Sequence, residues 1–169
     1  MKQKFSISLL FILVSNVLFS QKDSSRIAGH LIYIEAAGTG GYGSLNYERV
    51  LCSKKNFIYS LRAGISTSHF KDFTNNFNPD LLVPLSLNVS YGKNHKIIAG
   101  LGQTIASKVQ AAYADLRPHR KTNCYSNFTF GYRYQKNTGG LIFTCAYTPV
   151  LDWKGLFKNW IGISFGYCF

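Results

Sequence analysis

The sequence predicts an all-β chain: an eight-stranded antiparallel transmembrane β-barrel wound as an up-and-down meander. Three observations predict it. The last nine residues, Ile161 to Phe169, alternate large apolar with small side chains and close the chain on an aromatic. Seven further segments repeat this period of two. The connections between them are short and long by turns, as in barrels that cross a membrane. In the terminal segment the period places Ile161, Ile163, Phe165, Tyr167 and Phe169 on one face and Gly162, Ser164, Gly166 and Cys168 on the other.

The N-terminus fits an exported chain. Lys2 and Lys4 precede an apolar run from Phe5 to Phe19, and Ser20 leads into the polar stretch Gln21 to Ser25. That is the order of charged, apolar and small residues in a secretory signal peptide. The apolar run, 15 residues at about 1.5 Å each, falls short of the roughly 30 Å hydrocarbon core that a helical anchor must span. Residues 1–20 are therefore expected to be a signal peptide, and residues 21–169 a single barrel domain.

Reading for period two gives strands at Leu31 to Ala37, Tyr42 to Leu51, Phe57 to Ser66, Leu82 to Tyr91, Lys96 to Ile105, Cys124 to Tyr134, Leu141 to Thr148 and Trp160 to Phe169. Most approach the 9–11 or so residues that a tilted strand needs to cross a bilayer. With the mature N-terminus on the inner side, the connections Cys52 to Asn56, Gly92 to His95 and Gln135 to Gly140 are short, inner turns. Thr67 to Leu81, Ala106 to Asn123 and Pro149 to Asn159 are long, outer loops and hold all but one of the prolines. Gly38 to Gly41 is a short outer connection and the exception.

A soluble eight-stranded barrel of the lipocalin kind has the same period and strand count. It would carry charges outside and bulky residues inside. Here almost every Lys lies in a turn, loop or strand end. The strand centres alternate large apolar residues (Leu85, Leu87, Val89) with small or neutral polar ones (Ser86, Asn88, Ser90), which suit a narrow lumen. Tyr and Trp gather near strand ends, where an interfacial girdle would lie.

Four charges break the strand centres: Glu35, Glu48, Arg62 and Arg133. Each is on the small, polar phase, so all four are expected in the lumen as a structural network. Counting back from the 52–56 turn sets Glu48 diagonal to Arg62. Enclosed charges must pair, since each alone costs several kcal/mol, so Glu48 should meet Arg62 or Arg133.

Asn46-Tyr47-Glu48-Arg49, Leu61-Arg62-Ala63-Gly64, Gly131-Tyr132-Arg133-Tyr134-Gln135 with Gly139-Gly140, and Gly162 to Phe169 together resemble the small outer-membrane β-barrel proteins of the Bacteroidota type, OmpA/OmpX-like in size. The likeness spans nearly the whole mature chain. It implies an architecture and the outer membrane as compartment, without an assigned activity. It also implies that Phe169 ends a segment similar to the assembly signal read by the outer-membrane insertion machinery.

Other motifs carry less. Gly38-Thr39-Gly40-Gly41-Tyr42-Gly43 has G-x-G-x-x-G spacing, but strand rather than helix follows, so it reads as a glycine turn without a nucleotide. Cys52, Cys124, Cys145 and Cys168 lack metal spacing, and strand pairing sets Cys145 opposite about Phe130 rather than Cys124. No metal, cofactor or disulfide framework is expected. Ser68-His69 with Asp72 stands at the rim height used by lipid hydrolases but has no nucleophile elbow. His30, His95 and His119 have less context still.

The formal net charge is +12, and about +10 without Lys2 and Lys4. An exported barrel meets little nucleic acid. Outer-membrane lipids and lipopolysaccharide phosphates are the nearer anionic partners. Lys108, Arg117, His119, Arg120 and Lys121 share one outer loop with only Asp115 opposing, so Lys108, Arg117, Arg120 and Lys121 are candidate phosphate contacts. Two functions remain open: a non-catalytic structural, surface-binding or envelope-integrity barrel, and a rim-sited enzyme modifying lipopolysaccharide or phospholipid. A porin is disfavoured because side chains fill an eight-stranded interior.

Overall fold

A computed structural model describes residues 28–71, 75–111, 118–152 and 157–169. The proposed signal peptide lies outside them. The strands are β1 (His30–Ala36), β2 (Gly43–Lys54), β3 (Phe57–Ser66), β4 (Leu81–Gly92), β5 (His95–Ala111), β6 (Pro118–Gln135), β7 (Gly140–Tyr147), β8 (Val150–Asp152), β9 (Phe157–Lys158) and β10 (Ile161–Cys168). Strands β1 to β7 and β10 are the eight staves. Each pairs antiparallel with its neighbour, and β1 with β10 closes the ring. The short β8 pairs with β6 where β7 has ended, and β9 pairs with β8, so this pair prolongs the β7–β10 hairpin outward.

The period of two sorts the faces. Outward residues are large and apolar: Ile34, Leu87, Leu101, Phe130, Leu141 and Phe165 are each more than half exposed. Inward residues are small or polar, such as Ser60, Asn88, Thr104, Asn127 and Ser164, and all are buried. A buried apolar cluster of Leu31, Tyr33, Ile142 and Cys168 sits toward one end of the lumen. A barrel of eight strands has an interior just wide enough for side chains to fill.

Several boundaries differ from expectation. Strands β5 and β6 run on as a ladder as far as Ala111 and Pro118, so most of the loop expected at 106–123 is hairpin. The expected loop 149–159 contains β8 and β9. The inner turns are shorter than expected, because the flanking strands extend into them.

Register departs in two places. Glu48 stands directly opposite Arg62 rather than diagonal to it. The cause is a bulge between Val50 and Cys52 that leaves Leu51 without a partner and shifts all pairing beyond it by one. Cys145 opposes Tyr132 rather than Phe130.

The short outer connection folds inward. Ala37 turns left-handed at φ 57°, and Gly38 to Gly40 make one buried 3-10 turn. Ser66 Oγ donates to Gly40 O at 2.6 Å, and Thr104 Oγ1 donates to Thr39 O at 2.9 Å. The glycine run that fits a nucleotide fingerprint is thus a stopper in the outer mouth. Gly38 has φ +87°, and a Cβ there would lie 2.6 Å from Glu35 Cδ. Gly38→Ala is expected to cost about 1–3 kcal/mol, read as a lowered urea midpoint in detergent. An unchanged midpoint would mean that the turn is not packed on Glu35.

Candidate functional site: the lumen charge network

Four strands bring Glu35, Glu48, Arg62 and Arg133 together in the lumen, each no more than 5 % exposed. Although Arg62 faces Glu48 in register, it turns to Glu35, forming an ion pair through Nη2 and a 3.3 Å contact from Nη1 to Oε1. Its Nε and Nη2 also donate to Asn46 Oδ1 at 3.0 and 2.8 Å. Asn46 in turn donates to Ser44 Oγ at 2.9 Å, and Ser44 Oγ donates to Glu35 at 3.3 Å.

The second pair is bidentate. Arg133 Nη1 and Nη2 donate to Glu48 Oε1 and Oε2 at 2.8 and 3.0 Å. Glu48 also accepts from Ser60 Oγ at 2.5 Å and from Tyr33 Oη at 3.0 Å. Arg133 Nε donates to Thr144 Oγ1 at 3.1 Å. Fork-to-fork geometry of this kind is the strongest ordinary side-chain contact.

Tyr33 joins the two pairs. The Arg62 and Arg133 guanidinium carbons lie 5.5 and 5.8 Å from its ring centroid, within cation–π range. The ring has room because its cross-strand partner is Gly166, where a Cβ would come within 2.3 Å of Tyr33 Cβ. The sequence signal for Tyr33 is its phase, since it alternates with Glu35 along β1.

Lys96 is also enclosed, at 1 % exposure, with Nζ donating to Gln135 O at 2.6 Å and Asn137 Oδ1 at 2.9 Å. By sequence it stands at the first position of a strand, next to the inner turn, and is not among the expected lumen charges. Its phase with Gly100 and Gly102 was the missed signal.

The outer rim holds a different cluster. Asp80 Oδ2 accepts from Ser68 Oγ at 2.8 Å and lies 3.2 Å from His69 Nδ1, while Asp80 Oδ1 accepts the Val109 N–H at 3.0 Å. Asp72 lies outside the described residues. The Ser68 hydroxyl is committed to Asp80 rather than to the imidazole, so the serine and histidine do not form a nucleophile and base. Burial pushes the Asp80 carboxyl up, but the three hydrogen bonds outweigh it and hold its pKa below the ordinary value. A depressed carboxylate stabilises above its unfolded pKa, about 3.9, and loses that contribution as pH falls through the lower folded value. Protection of the Val109 amide against hydrogen exchange should therefore fall on acidification below about pH 3.9. Asp80→Ala should remove it already at neutral pH. Protection unaffected by either would show that Asp80 does not clamp the hairpin.

Of the basic group, Arg117 lies outside the described residues. Arg120 is turned to the protein, donating to Asn78 Oδ1 at 2.6 Å and Pro79 O at 3.1 Å. Lys108 and Lys121 are direct cross-strand partners. At the inner rim, Phe169 exchanges two backbone hydrogen bonds with His30, and His30 stacks between Phe169 and Tyr47 at 5.8 and 6.0 Å. His95 packs likewise against Tyr132 and Tyr134. Both histidines are thus part of an aromatic rim.

This closed meander, with an apolar exterior and a polar interior, is a β-barrel of the outer-membrane type. It is similar to the solved N-terminal β-barrel domain of Pseudomonas aeruginosa OprF, with a TM-score of 0.54 and 13 % identity over 82 % of this chain and 97 % of that one. No protein-family model and no curated protein matches the chain.

Proposed function

We propose that the chain is an outer-membrane integral protein of the small OmpA/OmpX-like, Bacteroidota type. It would be exported with a cleaved signal peptide at residues 1–20 and have a structural, surface-binding or envelope-integrity role. One observation supports this above the others: the barrel is inverted relative to a soluble one. Leu101 and Phe130 are 62 % and 63 % exposed while Glu48 and Arg133 are 1 % and 3 % exposed. In water that arrangement exposes a broad apolar belt, and in a bilayer it satisfies both faces.

Aromatic groups at both rims, Tyr42 against Trp160 and the His30 and His95 clusters, fit the headgroup layers. Lipid and lipopolysaccharide are the proposed surroundings, with Lys108, Arg117, Arg120 and Lys121 as the proposed phosphate contacts. Phe169 is the proposed signal for the insertion machinery. A non-catalytic role is favoured over the lipid-modifying enzyme because Ser68 is spent on Asp80. Membrane fractionation of cells expressing the full chain tests the reading. The barrel should appear in the outer-membrane fraction and migrate faster unheated than boiled, whereas recovery as a soluble protein would overturn it.

A further inference from the structure

The tucked turn that stoppers the barrel is also the floor of a pocket of about 170 Å³ in the outer mouth, walled by Thr104, Lys108, Tyr125, Lys158 and Trp160 above Thr39. We propose that this pocket binds one anionic sugar ring, a monosaccharide carrying a carboxylate or phosphate. The inference deepens the surface-binding role proposed above and rests on it for the pocket's access to the cell exterior.

Three features define the ligand. Water occupies about 30 Å³ per molecule in the liquid, so the volume corresponds to a handful of waters or a single ring. A lipid or an extended glycan chain is too large to enter whole. The described lining carries two ammonium groups and no carboxylate, and neither lysine has an ion-pair partner among the described residues. Lys108 also faces Lys121 across the ladder, a like-charge contact that an anion would relieve.

The aromatic walls ask for an apolar face. Trp160 is fixed edge-on against Tyr42, with ring centroids 6.0 Å apart at 84°. Tyr125 faces inward beside it, as the cross-strand partner of Thr104. A pyranose offers the matching shape, a C–H face for the rings and a polar rim for its surroundings.

The chain has two tryptophans, so Trp153→Phe leaves Trp160 as sole reporter. In the refolded full-length barrel, glucuronate and glucose 6-phosphate should change Trp160 fluorescence saturably. The expected Kd is roughly millimolar for a ligand of about a dozen heavy atoms. Glucose and inorganic phosphate should each bind at least about tenfold more weakly. Lys108→Gln and Lys158→Gln should each weaken the anionic sugars about tenfold, with heat-modifiable migration retained. A phosphorylated lipopolysaccharide core fragment is the second arm. Competition with glucuronate would make a surface glycan the source, and no competition would make it a free sugar. Equal binding of glucose and glucuronate, absence of a saturable change, or indifference to both lysine variants would overturn the proposal. None of these results would alter the fractionation outcome, so failure of this site and failure of the membrane reading are distinguishable.

Discussion

Glu48→Ala is expected to destabilise the barrel by about 3–5 kcal/mol, the usual cost of stripping the partner from a buried ion. The substitution leaves the Arg133 guanidinium enclosed with Thr144 Oγ1 and the Tyr33 face. The Ser60 and Tyr33 hydroxyls lose their acceptor at the same time. Both losses fall where Glu48 and Arg133 are buried. Urea titration in detergent, read by the heat-modifiable band, measures the effect. The double variant Glu48→Leu with Arg133→Leu should recover most of the stability, since two apolar side chains replace two desolvated charges. Wild-type stability of Glu48→Ala would mean that the carboxylate is in water and the lumen is open.

Changing Phe169 is expected to act on assembly rather than on stability. Its backbone closes the ring through two hydrogen bonds with His30, and its ring stacks on the His30 imidazole at the rim. Phe169→Asp leaves the backbone amide and carbonyl in place and exchanges the aromatic ring for a carboxylate. The amount of heat-modifiable barrel in the outer membrane should fall severalfold, with export across the inner membrane intact. Phe128→Ala, which also removes an outward aromatic, should lower the urea midpoint while leaving targeting near wild type. If Phe169→Asp assembled like wild type, the terminal aromatic would have no signalling role.

The alternation of large and small residues made the eight staves, the two faces and the enclosure of Glu35, Glu48, Arg62 and Arg133 legible, because a period of two has a direct geometric meaning. What depended on one extra residue was not legible. The bulge at Leu51 changes the partner of Glu48 from a diagonal neighbour to a direct one, and no side chain near it announces the insertion. Pairing among the charges also escaped register alone: Arg62 stands opposite Glu48 but reaches Glu35, because Arg133 claims both Glu48 oxygens from across the lumen. Contacts across a barrel join strands far apart in sequence, here by 85 residues, and strand-by-strand reading does not see them. The β5–β6 hairpin read as loop beyond Ile105 because its polar residues end the apolar alternation. Its hydrogen-bonded ladder continues regardless. Lys96 was left out of the lumen charges because it stands next to the turn, although its phase pointed inward.

Quenching by lipids with brominated acyl chains tests most directly whether the apolar face meets lipid while the charges are enclosed. Single tryptophans replace Leu87, Leu101 or Phe130 in a chain with Trp153→Phe and Trp160→Phe, reconstituted in vesicles. All three should be strongly quenched by the brominated chains and hardly at all by aqueous acrylamide. Tryptophans quenched by acrylamide and untouched by the brominated lipid would place that face in water and contradict the account.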